Sequence, residues 1–302
     1  MSTRKAFSYQ ERLPQRTLDR LPEILKVNER SPEILIIIRM LSGSIKIEHK
    51  KSSKKINQEE NYFSANFRNY GQTWDKKFPP LVGEDFTLGD LAKYIEENKL
   101  KNRKFYSNIL SELSYYFYYQ SKKIHSSAFI FLYRTLEHIS YAFPLIYASK
   151  TDNFEKTFNS LKNLMNNDKN IGELGFLKNF VKTVYLEDPI YSSSLDFIID
   201  HETDEEKSKT FNILKSLCTD AMIASSTSEP RSLSINYPEV GSFIITIRNR
   251  FFHYMNGGAK NIETTDIRDI DELFSIINKK SLYWISTIFL TVFSYSIIKS
   301  ER

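Results

Sequence analysis

Cysteine is nearly absent: Cys218 is the only one in 302 residues. A single thiol can form neither an internal disulfide nor a cysteine-ligated zinc cluster, and it fits a reducing compartment, here expected to be the cytoplasm. Glycine and proline are scarce as well. Nine of each make up about 6% of the chain, against a usual combined share near 12%. A chain so rarely punctuated is expected to be all-α, because a β-sandwich or barrel of this length needs many more turn residues. Neither sign of charge dominates. Forty-two Lys+Arg against 37 Asp+Glu leave +5, compatible with nucleic acid but too little to argue for it alone. The opening residues Met1 to Gln10 have no apolar core behind their charges, so no secretory signal is expected. Several catalytic patterns are missing too. No two of the five histidines stand at i, i+4, and there is no Gly-x-Ser-x-Gly and no phosphate-binding Gly-rich loop. Helical zinc-protease, serine-hydrolase and P-loop chemistries are therefore unsupported, and no metal or cofactor is expected.

Long apolar runs are limited to residues 282–298, seventeen residues without a charge, at the short edge of the roughly 17–25 that span a bilayer. Thr287, Thr291 and Ser294 fall at helical spacing and lay a polar stripe along it. That pattern suits a core helix in a bundle, and no stable membrane association is expected.

Residues 1–105 read as a smaller, mostly helical accessory or sensor region. Ile34–Leu41 is an apolar run, strand or helix by pattern alone. Lys46–Lys55 is basic and reads as a solvated loop, phosphate contact being the weaker alternative. Pro79, Pro80 and Gly83 mark a break, and Asp85–Glu97 resumes helical spacing. Residues 106–302 read as a helical domain. Phe105–Gln120 and Ile124–Tyr147 are long helices, with Pro144 expected to kink or stop the second. Residues 148–237 form a less regular insertion with helical pieces at Phe154–Leu164, Leu174–Val184 and Phe211–Ala224. Its acidic stretch Asp200–Glu206, which contains His201, reads as a mobile loop, and Ser225–Pro230 as another loop. Glu239–Tyr254 is expected to be a helix ended by Asn256-Gly257-Gly258, and Leu273–Ile298 closes the chain.

The chemistry concentrates in Ile247-Arg248-Asn249-Arg250-Phe251-Phe252-His253-Tyr254. On a continuous helix Asn249 and His253 share a face, while Arg248 lies about 140° from His253 and depends on its long stem. Imidazole exchanges protons near neutral pH, and guanidinium offers a planar fork to a phosphate. Together they suit metal-free cleavage of an RNA phosphodiester. More ordinary roles exist for each: His253 at a helix C-terminus, Arg248 in an ion pair, and Phe251 and Phe252 in packing.

Arg248-Asn249-x-x-x-His253 resembles the HEPN superfamily signature, Arg followed after four to six residues by His, often with Asn directly after the Arg. The resemblance covers roughly residues 106–302. It implies a helical bundle in the C-terminal two thirds and a metal-independent endoribonuclease working through 2′-OH attack at a composite site in a homodimer. It further implies a toxin or abortive-infection (anti-phage) effector whose activity is held in check until triggered, with an inhibitory or activating partner protein. Arg248, Asn249 and His253 would be catalytic. Arg134 and Glu137, from an earlier helix segment Tyr133–His138 with a polar pair amid apolar residues, would support them together with Tyr254. Arg250, Lys122 and Lys123 would contact RNA. Tyr254 directly after the His, and the 148–237 insertion, depart from the family pattern. The alternative is a non-catalytic HEPN module that binds RNA or a protein within a defence or toxin–antitoxin system, with Lys46–Lys55 as its supporting feature.

Overall fold

The computed structural model describes residues 5–149, 153, 155, 157–159, 161–162, 173–186, 188–253 and 261–298. Phe154–Leu164 falls largely outside them, as do Tyr254 and Asn256-Gly257-Gly258. The chain divides into two units, residues 1–121 with 285–302, and residues 122–284.

The first unit is built on a buried helix. All nine residues of α1, Glu33–Leu41, are buried, which resolves the apolar run in favour of helix. Its single cation, Arg39, is fully enclosed and makes four hydrogen bonds. Nη1 donates to the Leu25 carbonyl (2.8 Å), Nε to Ser44 Oγ (2.7 Å) and Nη2 to Ser44 O (3.1 Å) and to the Glu11 carboxylate. The guanidinium also lies over the Trp74 ring at 4.8 Å. Beside α1 runs an antiparallel sheet in the order β1 (Phe7–Glu11), β2 (Ile45–His49), β3 (Lys54–Gln58). Gly43, at φ +70°, makes the turn from α1 into β2. A Cβ there would stand 2.4 Å from the Glu59 carbonyl oxygen. Helices α2 (Leu88–Asn98) and α3 (Arg103–Gln120) follow, α3 packing on α1.

The second unit begins with α4, His125–Ala148, which runs on through Pro144 rather than stopping there. Asp271 accepts the Ser126 N–H at its first turn (2.8 Å). Next come α5 (Glu173–Val184), β4 (Ser194–Ile198), α6 (Asp204–Ser216), β5 (Ile223–Ser228), β6 (Arg231–Asn236), α7 (Val240–Phe251) and α8 (Ile270–Ile298), whose last part, from Ile285, belongs to the first unit. The second sheet is antiparallel in the order β4-β6-β5. Leu195 and Phe197 of β4 pair with Ile235 and Leu233 of β6, and all four are buried. α7 buries Val240, Gly241, Phe243, Ile244 and Ile247, one face at three-four spacing. Gly241 admits Trp284, whose ring would meet a Cβ there at 2.8 Å while its Nε1 donates to the Tyr237 carbonyl (2.9 Å).

The all-α expectation is overturned. Among the described residues 61% are helical, and two three-stranded antiparallel sheets account for 12%. Scarce glycine and proline failed as an argument because the β2–β3 turn uses neither: Lys50-Lys51-Ser52-Ser53 closes it, with Ser53 taking the left-handed conformation (φ 52°). Lys46–Lys55 is thus a hairpin instead of a loop. Similarly, Phe211–Ala224 splits into the end of α6 and the start of β5, and Ser225–Pro230 is mostly β5. The acidic stretch Asp200–Glu206 enters α6 through a capping box between Thr203 and Glu206. No described helix is long and apolar enough to cross a membrane. Residues 282–298 are the last part of α8, with Leu282, Ile285, Ile288 and Val292 in the core.

Candidate functional site

The apolar face of α7 ends at Ile247, and the next residue, Arg248, turns its head toward α4. Its guanidinium stands 4.9 Å from the centre of the Tyr133 ring, and Nη1 donates to Asn249 Oδ1 at 3.0 Å. Two neighbours therefore hold the fork: an aromatic face below and an amide beside it. Tyr133 is itself buried, with 6% of its surface exposed. Burial pushes its phenol up, the Arg248 charge pulls it back, and the nearby Glu137 carboxylate pushes it up again. Glu137 therefore belongs to the same electrostatic neighbourhood, one turn along α4 from Tyr133.

Phe251 and Phe252 anchor the end of α7. Phe252 lies parallel to Phe129 at 5.9 Å, and Phe251 meets Phe274 edge-on at 4.9 Å. Packing, the ordinary role that their sequence context allows, is what the structure displays. The Phe252 N–H donates to the Arg248 carbonyl (2.9 Å) and closes the last turn. α7 ends at Phe251, three residues before the helix end expected from sequence, so His253 does not share a helical face with Asn249. His253 sits just past the helix end with its side chain exposed to solvent. An imidazole there is reachable by a polymeric substrate, and one end of its tether is fixed by the aromatic cluster.

Arg134 is exposed on α4, next to Tyr133 in sequence but on the outer side. Arg250 is half-buried, and its carbonyl accepts from Ile262 N (2.9 Å). Lys122 and Lys123 are exposed in the turn before α4, roughly 15 Å along the helix axis from Tyr133. They are not gathered around Arg248. Tyr254 lies outside the described residues. Tyr133 has no role that its own sequence context suggests. Its position on the buried stripe of α4, one turn from Glu137, is visible in the sequence, but nothing local points to Arg248.

A separate cavity of about 390 Å³ opens between the starts of α6 and α8, lined by His201, Glu205, Glu206, Lys209, Asp266, Arg268 and Glu272 among others. Six of these side chains pair with one another: His201 with Glu272 (3.2 Å), Lys209 with Glu205 (2.7 Å), and Arg268 with Glu206. Among the described residues no group of three His, Cys, Asp or Glu is placed to hold a metal ion. Burial pushes the Cys218 thiol up to about 11, which makes it a poor nucleophile at neutral pH. The chain matches no protein-family model, no curated protein and no solved structure.

Proposed function

We propose that the chain is a metal-independent endoribonuclease of the HEPN type, acting in the cytoplasm as a toxin or anti-phage effector and working as a homodimer. The observation that carries this reading is the Arg248 fork, steadied by Tyr133 and Asn249, five positions before an exposed imidazole just past the end of the same helix. In the reaction the 2′-oxygen of a ribose attacks phosphorus and the bond to the 5′-oxygen breaks, leaving a 2′,3′-cyclic phosphate and a free 5′-hydroxyl. One proton leaves the 2′-OH and one arrives on the departing 5′-oxygen. His253 serves at one of these two positions, and Arg248 faces the charge that builds on the phosphoryl oxygens. Asn249 and Tyr133 position Arg248. The test is cleavage of single-stranded RNA by the purified full-length chain, with and without EDTA. Wild type should cut equally well in both, leaving cyclic-phosphate ends, and His253→Ala should cut far more slowly in both. Cleavage that EDTA abolishes would overturn the reading.

Support for pairing comes from the outer side of α4. Ile130, Tyr141 and Leu145 are 42%, 43% and 56% exposed, and at 100° per residue they fall within about 60° of one another. Arg134 lies in the same stripe, and Glu137 at its edge adjoins Tyr133. An apolar strip of this kind suits a self-complementary twofold contact, and would bring two Arg248 sites close together. Tyr141→Glu with Leu145→Glu should convert a dimer into a monomer in sedimentation and lower cleavage with it. A doubly substituted chain that still sediments as a dimer would place the interface elsewhere.

A further inference from the structure

The net charge of the chain is +5, yet it is not spread evenly. Residues 45–58 alone contain five lysines (Lys46, Lys50, Lys51, Lys54 and Lys55) and one carboxylate, Glu48. All five lysines are exposed. They are displayed on a fixed hairpin. β2 and β3 pair in continuous register from Ile45↔Gln58 to His49↔Lys54. Ile45 and Ile47 point into the core, which turns Lys46 and its diagonal neighbour Lys55 to the outer face, about 7–8 Å apart. At the tip, His49 Nδ1 and Ser52 Oγ are 2.8 Å apart, and the Lys50 N–H donates to the Ala6 carbonyl (2.9 Å). The His49 ring is seated against Tyr118 and Phe7, with centroids at 4.4 and 5.1 Å. The turn is thereby tied to the unit beneath it.

Lysine on an edge strand has an ordinary use, since it blocks pairing with another chain. That accounts for Lys54 and Lys55 on β3. It does not account for Lys46, because β2 is paired on both sides, nor for Lys50 and Lys51 in the turn. A rigid ribbon with five ammonium groups and one acid is matched instead to a line of fixed negative charges. We propose that the β2–β3 hairpin is a binding surface for the phosphate backbone of a nucleic acid, independent of base sequence. Lysine and serine, the residues at its tip, are among the groups that bind phosphate oxygens, and such contacts carry no sequence information. An anionic membrane presents the same charge, but Lys50-Lys51-Ser52-Ser53-Lys54 has no aromatic or aliphatic side chain to enter lipid.

This inference concerns the first unit and stands whether or not the second unit cuts RNA. The test uses the full-length chain carrying His253→Ala, so that no substrate is consumed. Its affinity is measured across a salt series for single-stranded RNA, single-stranded DNA and a DNA duplex of equal length. Lys50→Ala, Lys51→Ala and Lys54→Ala together should weaken binding at least tenfold. They should also flatten the slope of log affinity against log salt by about 2 on single strands, close to 0.7 for each phosphate that is no longer neutralised. The corresponding Lys→Arg triple variant should bind as the parent does. Similar loss on RNA and DNA identifies the backbone as the ligand, and loss on RNA alone adds an interaction with the 2′-hydroxyl. A triple alanine variant with unchanged thermal melting, unchanged affinity and unchanged salt slope overturns the proposal. So does binding of phosphatidylserine vesicles by a chain that binds none of the three nucleic acids.

Discussion

His253→Ala is expected to lower the rate of RNA cleavage by about 10²–10⁴-fold, the range typical of a lost general acid or base. The side chain is exposed and outside the core, so the circular-dichroism melt should be that of wild type. The companion change, Arg248→Lys, keeps the charge but removes the planar fork that lies on Tyr133 and takes up Asn249 Oδ1. A loss of about 10²–10³-fold is expected, appearing in kcat more than in KM, because the fork meets charge that develops only in the transition state. Tyr133 separates positioning from chemistry. Tyr133→Phe retains the ring under Arg248 and should stay near wild type, whereas Tyr133→Leu removes it and should slow cleavage by roughly tenfold, about 1.4 kcal/mol. If His253→Ala cuts as fast as wild type, the imidazole has no part in the reaction and the assignment fails.

Arg39→Met should destabilise the first unit by about 3–5 kcal/mol, the cost of leaving one half of an enclosed ion pair without its partner. Glu11 is the group stranded. Besides Arg39 its carboxylate accepts from the N–H groups of Arg12 (2.9 Å), Leu13 (3.0 Å) and Val27 (3.0 Å). It thus binds the end of β1 to the segment leading into α1. Burial lowers the pKa of the Arg39 guanidinium while the Glu11 charge raises it, and the group stays protonated at any working pH. Met fills the same volume with an apolar side chain but satisfies neither Ser44, nor the Leu25 carbonyl, nor Glu11. Hydrogen exchange of the β1–β3 amides in increasing urea measures the effect on this unit directly. Protection unchanged from wild type would mean that the network contributes nothing to stability.

The long helices were legible because their apolar residues recur every three or four positions. α3 and α4 begin within two residues of where that spacing puts them. The strands were harder. β5 reads Ile-Ala-Ser-Ser-Thr-Ser and is largely exposed, so little alternation marks it. In β2 the alternation is present, Ile45-Lys46-Ile47-Glu48, but the lysines around it suggested a loop. Charge dominated that reading, although period-two burial decides the fold. His201 shows the same limit: from sequence it sits in an acidic run, and only the folded chain brings Glu272 to it from seventy-one residues away.

Local pattern was enough to mark the Arg248-Asn249 pair and most of the helical core, because both depend on spacing along one helix, where geometry follows from residue number; His253, past the end of α7, does not. Where α7 stops, what lies beneath Arg248, and which lysines share a face were settled by packing between distant segments. Phe252, the residue after the end of α7, lies on Phe129 of α4, and Tyr133 reaches Arg248 from 115 residues away. Such partners follow from how faces are buried against each other, which spacing along a single segment cannot specify.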